Sequence, residues 1–227
     1  MHMRTKLTKR NGATMAALAA AGLVALGLAG CGRSGVPATP EHLYVGLDMS
    51  GSVARRQGAF TLLTEDLVRP LVPGRDRLSL YRVARRTEAF YDQPVEAGTD
   101  GLEDVIVAEV QKSRRTVPGR GQGGTFPAAF WTEVAQRAKQ NPSRTAIVLF
   151  SDGDNDDTTS GAQAAVRSAA QALADNPNVV GVACYGVNSE NMTSLQHTFA
   201  ALGDRLHLYG PQEQDVRPFT ASAGLSR

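Results

Sequence analysis

The sequence predicts an α/β fold: a doubly wound, mostly parallel central sheet with helices on both faces. Three observations carry this expectation. Apolar runs at Leu43–Leu47, Thr145–Phe150 and Val179–Val187 read as strands buried on both sides. Segments of helical apolar spacing stand between such runs, and strands alternating with helices argue for a parallel sheet. Asp48 and Asp152 follow two of the runs directly, and ligands of open α/β sheets bind beyond the carboxyl ends of the strands.

Taken in order, the first strand places Leu43, Val45 and Leu47 on one face and Tyr44 on the other, because side chains alternate along a strand. Gly46 removes bulk there. Val53 to Val68 reads as a helix that stops before Pro70. Asp76 to Ala84 reads as a strand, and Thr87 to Tyr91 as a hairpin or edge partner. Leu102 to Val110 has helical spacing, and Pro118 to Thr125 is a glycine-rich loop. Phe126 to Lys139 reads as a helix with Pro127 in its first turn, where a missing N–H is tolerated. Thr145 to Phe150 is a strand. Ala162 to Ala174 is an alanine-rich helix ended by Asn176-Pro177. Val179 to Val187 is a strand, Ser189 to Leu202 a helix, and Leu206 to Tyr209 the last strand, with a short helix after Pro211.

The candidate chemistry begins where the first strand stops, at Asp48-Met-Ser50-Gly-Ser52. A turn there brings one carboxylate and two hydroxyls to one point, and oxygen-only ligands suit a hard cation such as Mg²⁺. Later in the chain stand Gly123-Gly124-Thr125 and Ser151-Asp152-Gly153. This Asp-x-Ser-x-Ser, Thr, Asp set, with its flanking strands, resembles the metal-ion-dependent adhesion site (MIDAS) of von Willebrand factor A (vWA) domains. The resemblance covers roughly residues 41 to 215. It implies a Rossmann-like vWA fold and a metal shell of Asp48, Ser50, Ser52, Thr125 and Asp152. It also implies a partner whose Asp or Glu completes the coordination. Gly51, Gly124 and Gly153 would let the backbone turn close to the ion. Mg²⁺ is the expected cation, with Mn²⁺ or Ca²⁺ as alternatives. The plainer reading is that Ser50 and Ser52 cap the first helix and that Asp152 only makes a turn.

Residues 1–30 look like an export leader: Arg4, Lys6, Lys9 and Arg10 precede an apolar stretch ending in Leu28-Ala29-Gly30-Cys31. The Cys after the small pair resembles a bacterial lipobox, which implies lipid attachment (palmitate) at Cys31. An uncleaved membrane anchor is the alternative. The expected organisation is a lipoprotein signal peptide at 1–30, the lipid-attachment Cys and linker at 31–40, and a vWA domain at 41–227. The expected location is the bacterial cell envelope, facing away from the cytoplasm and held to a membrane by the N-terminal lipid. The chain has 24 Lys+Arg against 22 Asp+Glu; removing the leader's four basic residues leaves 20 against 22, a net −2. No basic stripe with interleaved aromatics is present, so no nucleic-acid partner is expected.

Other motifs carry less. Cys184 lies in an apolar strand and reads as a small hydrophobe. Asp152-Gly-Asp154-Asn-Asp156-Asp157 starts like an EF-hand loop but has Asp157 at the sixth position and Gln163 at the twelfth. Asp154, Asp156 and Asp157 are left as an accessory acidic loop that is either solvated, binds a second Ca²⁺, or tunes partner choice. Gly119 to Thr125 lacks the Lys of a phosphate-binding loop. Arg114, Arg115 and Arg120 could steer an acidic partner, or simply be solvated. A dehalogenase-type phosphatase would need an Asp where Ser50 stands, and no Gly-x-Ser-x-Gly exists. The expectation is a binding module and no enzyme. The alternatives are a metal-dependent hydrolase using the same cation, and a structural lipoprotein with a vestigial site.

Overall fold

A computed structural model of the chain describes residues 39, 41–51, 53, 56–96, 101–116, 124–125 and 127–225. The leader, Cys31, Ser52, Gly123, Arg120 and most of the glycine-rich loop lie outside the described residues, as do the side chains of Arg114 and Arg115. Among the described residues, no helix is long and apolar enough to cross a membrane.

Six strands form one sheet in the order β3-β2-β1-β4-β5-β6. They are β1 (Glu41–Asp48), β2 (Arg77–Val83), β3 (Thr87–Pro94), β4 (Arg144–Phe150), β5 (Val179–Tyr185) and β6 (Leu206–Tyr209). All neighbours run parallel except β3, which pairs antiparallel with β2 at the edge. Pro94 ends that edge strand, where its missing N–H leaves no ladder bond unmade. Every residue of β1 is buried, as expected for the innermost strand of a sheet covered on both faces.

The helices are α1 (Gln57–Val68), α2 (Leu102–Thr116), α3 (Pro127–Gln140), α4 (Ser160–Asp175), α5 (Ser189–Thr198) and α6 (Arg217–Ser222), with a 3₁₀ segment at Ala200–Arg205. Leu43, Val45 and Leu47 pack with Phe60, Leu67, Ile106 and Phe219 of α1, α2 and α6. Tyr44 packs on the opposite side with Phe130, Trp131 and Leu173 of α3 and α4. The period-2 reading of β1 therefore assigned both cores. In α4 the buried face is Ala162, Val166, Ala169, Ala170 and Leu173, a helical stripe of mostly small residues. Thr159 caps this helix by accepting from Ala162 N at 3.2 Å.

The structure departs most from the expected boundaries in three places. Helix α1 starts at Gln57 rather than Val53. Ahead of it, Val53 N donates to Ser50 O at 3.2 Å and Arg56 N to Val53 O at 2.8 Å, bonds of turn spacing. The expected helix Ser189 to Leu202 splits. Phe199 leaves helical geometry (φ −104°, ψ 15°) and is fully buried with its ring centroid 4.6 Å from that of Trp131. Burial of that ring outweighs continuation of the helix. Helix α2 runs on to Thr116, past the apolar pattern that suggested an end at Val110.

Candidate metal centre

The sheet order reverses between β1 and β4, and the candidate residues sit at that crevice, as expected for the switch point of a doubly wound sheet. Asp48 is the last residue of β1 and only 1 % exposed. The chain turns back on it at once: Ser50 N donates to Asp48 Oδ1 at 2.8 Å, a side-chain turn typical of Asp. Ser50 is buried too. The residue ahead of α1 is Arg56, so Ser50 serves the Asp48 turn and does not cap the helix. That excludes the plainer reading for Ser50; Ser52 lies outside the described residues, and Asp152 does make the turn that reading expected, its Oδ1 accepting from Asp154 N at 3.1 Å.

Thr125 reaches the same carboxylate from the loop before α3. Its buried Oγ1 lies 3.1 and 3.0 Å from Asp48 Oδ1 and Oδ2, sharing one proton between them. Its backbone is clasped by the loop after β4: Thr125 N donates to Asp156 Oδ2 at 2.7 Å and Asp156 N donates to Thr125 O at 3.0 Å. Asp152 follows β4 by two residues and is 2 % exposed. Its carbonyl accepts from Asn188 N at 2.9 Å and from Asn191 Nδ2 at 3.1 Å, which fixes the loop on the start of α5. Gly153 has φ 85°, and a Cβ there would lie 2.9 Å from Asn191 Cβ. This position needs glycine on both counts. Gly51 does not: a Cβ there meets nothing within 4 Å.

Sequence reasoning missed three contributors. Ser151 Oγ donates to Asp48 Oδ2 at 2.7 Å and accepts from Gly153 N at 3.1 Å. Its only signal was adjacency to Asp152. Arg56 Nη1 donates to Gly186 O at 2.6 Å, joining the entry of α1 to the end of β5. Asp156 reads from sequence as one of several loop carboxylates, yet it holds the Thr125 backbone. Its neighbours are occupied as well. Asp154 Oδ1 accepts from Asn191 Nδ2 at 2.8 Å, and Asp157 Oδ1 from Thr159 N at 3.1 Å and Thr159 Oγ1 at 2.6 Å.

The electrostatics set the chemistry. Burial pushes the Asp48 carboxyl up; bonds from Ser50 and Ser151 pull it down, and the Asp152 charge pushes it up again. Among the described residues neither Asp48 nor Asp152 forms an ion pair. No three His, Cys, Asp or Glu of the described residues cluster as a metal site. A cation here would therefore rest on two carboxylates and neutral hydroxyls. Two buried like charges beside Ser50 and Thr125 oxygens fit a hard divalent ion.

No family model matches the chain, and no curated protein matches it. Solved structures do. The chain is similar to proximal thread matrix protein 1 from the mussel byssus, at TM-score 0.56 and 12% identity, over 83% of this chain and 46% of that one. A further structure of that mussel protein has a zinc-occupied MIDAS motif (TM-score 0.54, 11% identity, 83% and 46% covered). The PilB minor pilin from Streptococcus sanguinis gives 0.54 and 13% identity, over 83% and 62% of the two chains. The pilus adhesin SpaC from Lactobacillus rhamnosus GG, in its open conformation, gives 0.55 and 13%, over 83% and 29%. This chain thus spans about half the length of the mussel protein. At such identities the likeness establishes the fold alone, and that fold is Rossmann-like and of vWA type.

Proposed function

We propose that this chain is a vWA-type binding module of the bacterial cell envelope that holds a divalent cation and engages an Asp or Glu side chain of a protein partner. The observation that carries the reading is the buried Asp48 carboxylate, raised by burial and by Asp152, with hydroxyl oxygens around it and no ion pair to it among the described residues. A cation bound there would neutralise the two carboxylates and present a positive centre to an incoming carboxylate. The chain's own residues do the rest. Asp48 and Asp152 supply charge, while Ser50 and Thr125 supply neutral oxygens that leave the ion attractive to an anion. Ser151 orients Asp48, and Asp156 fixes Thr125. Ser52 completes the set by resemblance to the motif. Mg²⁺ is the proposed ion; the zinc-occupied motif of the mussel protein makes other divalent ions reasonable comparators. The leader and Cys31 supply the proposed lipid anchor, and the pilin and adhesin likenesses agree with an envelope setting.

A serine-nucleophile hydrolase, distinct from the metal-dependent one, draws no support from the Ser–His contacts among the described residues. Asn141 Nδ2 donates to His42 Nδ1 at 2.7 Å, which leaves His42 Nε2 as donor to Ser79 Oγ at 2.8 Å. Ser79 then donates to Asp92 Oδ1 at 2.8 Å. In that order the imidazole cannot take the serine proton. His207 contacts Ser222 at 3.1 Å, but Ser222 also donates to Phe219 O at 2.9 Å.

Calorimetric titration of Mg²⁺ and Mn²⁺ tests the site. Saturable one-site uptake is expected, and it should vanish in Asp152→Ala while the circular dichroism spectrum stays unchanged. Uptake that survives the substitution would refute the assignment. No uptake at all would leave the vestigial reading standing. Membrane fractionation tests the anchor: Cys31→Ser should move the chain to the soluble fraction.

A further inference from the structure

We propose that a cleft beside the metal centre, floored by Trp131 and edged by Arg167, receives a second acidic group from the same partner segment. The inference rests on the carboxylate-binding reading above and names the partner more closely: a peptide segment with two acidic side chains. The cleft has a volume of about 350 Å³ and lies between α3, α4, α5 and the loop after β4. Gly153 lines it and is the chain neighbour of Asp152, so the cleft adjoins the loop that carries Asp152. Trp131 and Val166 are buried beneath it. Gln163 and Ser194 bring neutral polar groups to its wall.

Arg167 carries the only formal charge among the residues that line the cleft. It is exposed and forms no ion pair among the described residues. No ion pair among the described residues joins it to the nearby loop carboxylates, of which Asp154 bonds Asn191, Asp156 bonds Thr125 and Asp157 bonds Thr159. A guanidinium offers a planar fork that matches a carboxylate, and an apolar floor excludes water from one side of that pair. Charge complementarity at Arg167 and continuity with the Asp152 loop therefore select an acidic segment. One acidic side chain goes to the metal centre and the next lies over Trp131 to reach Arg167.

Trp131 is the single tryptophan of the chain, so its fluorescence reports on the cleft. The probes are acetylated and amidated Gly/Ser peptides with one Glu, or with two Glu separated by about one to four residues, which spans the reach of a short extended segment. The full chain is titrated at saturating Mg²⁺. The best two-Glu peptide is expected to bind about fivefold tighter than the one-Glu peptide, the scale of an exposed ion pair, and to shift Trp131 emission. Arg167→Ala should erase that preference and leave one-Glu binding intact; Arg167→Glu should invert it. Equal affinities for the two peptide classes, or a preference that survives Arg167→Ala, overturn the subsite. Calorimetric Mg²⁺ uptake by the same protein separates the two readings. Failure of uptake refutes the metal centre and the subsite built on it. Uptake with one-Glu binding that chelation removes, but no two-Glu preference, refutes the subsite alone.

Discussion

Asp48 is the residue whose surroundings are most at odds with its charge. It is 1 % exposed, and burial holds its carboxyl above the ordinary range, with Asp152 adding to the effect. In the metal-free protein the folded state keeps this proton longer than the unfolded chain does. The resulting stabilisation is full at low pH and is lost as the pH rises from the ordinary carboxyl value through the raised folded one. Asp48→Asn removes that dependence. With a chelator present, its melting temperature should fall less than the wild type's between about pH 4 and pH 7, a window spanning the ordinary and raised carboxyl range. Saturating Mg²⁺ should raise the wild-type melting temperature, because a ligand of the native state stabilises it, and leave Asp48→Asn unmoved. Parallel pH slopes for the two proteins would mean that Asp48 is not the strained group.

At the scale of elements, β1 is the member everything else is placed against. It hydrogen-bonds β2 on one side and β4 on the other, and its alternating side chains enter both cores. Gly46 matters to this packing. A Cβ there would lie 2.9 Å from Leu149 Cδ1 and from Phe130 Cε2 and Cζ, and Phe130 is fully buried. Gly46→Ala is therefore expected to destabilise the domain by about 1–3 kcal/mol, the usual range for overpacking a filled core. Urea denaturation measures it, and an unchanged midpoint would show that α3 moves aside freely. Strand identities were legible because an apolar run of this kind has one buried solution. The start of α1 was not. Its first turns depend on Ser50 N and Ser50 O being engaged at the Asp48 corner, which no propensity records. The break at Phe199 was equally hidden, since it depends on a ring, Trp131, that lies far away in sequence.

Across the whole molecule the two ends of the parallel strands do different work. The carboxyl ends carry the candidate metal centre. Near their amino ends, His42 stacks on Tyr44 with ring centroids 3.9 Å apart and bonds Ser79 and Asn141, tying β1 to β2 and to the turn after α3. Burial pulls His42 down from 6.5 to about 4, against the upward influence of Asp92. The unfolded chain then takes the proton first. The contribution is complete above about pH 6.5 and is lost as pH falls through about 4. It amounts to about 3 kcal/mol at one and a third per pKa unit. Chemical denaturation near pH 7 and pH 4 should show a smaller acid loss for His42→Gln than for the wild type; equal losses would assign the acid sensitivity elsewhere.

The sequence by itself determined the α/β class, the strands and their facing residues, and the positions of Asp48, Ser50, Thr125 and Asp152 at loop ends. These follow from local patterns: period 2 in strands, helical stripes, and carboxylates placed after apolar runs. The resemblance expected Thr125 beside Asp48; only the tertiary structure decided that its hydroxyl bonds that carboxylate across 77 positions, that Ser151 joins them, and that Asp156 secures Thr125. It also decided that Trp131 and Arg167 border one cleft. Such contacts are made by the order in which strands assemble in the sheet, and that order brings together residues whose local sequence carries no trace of one another.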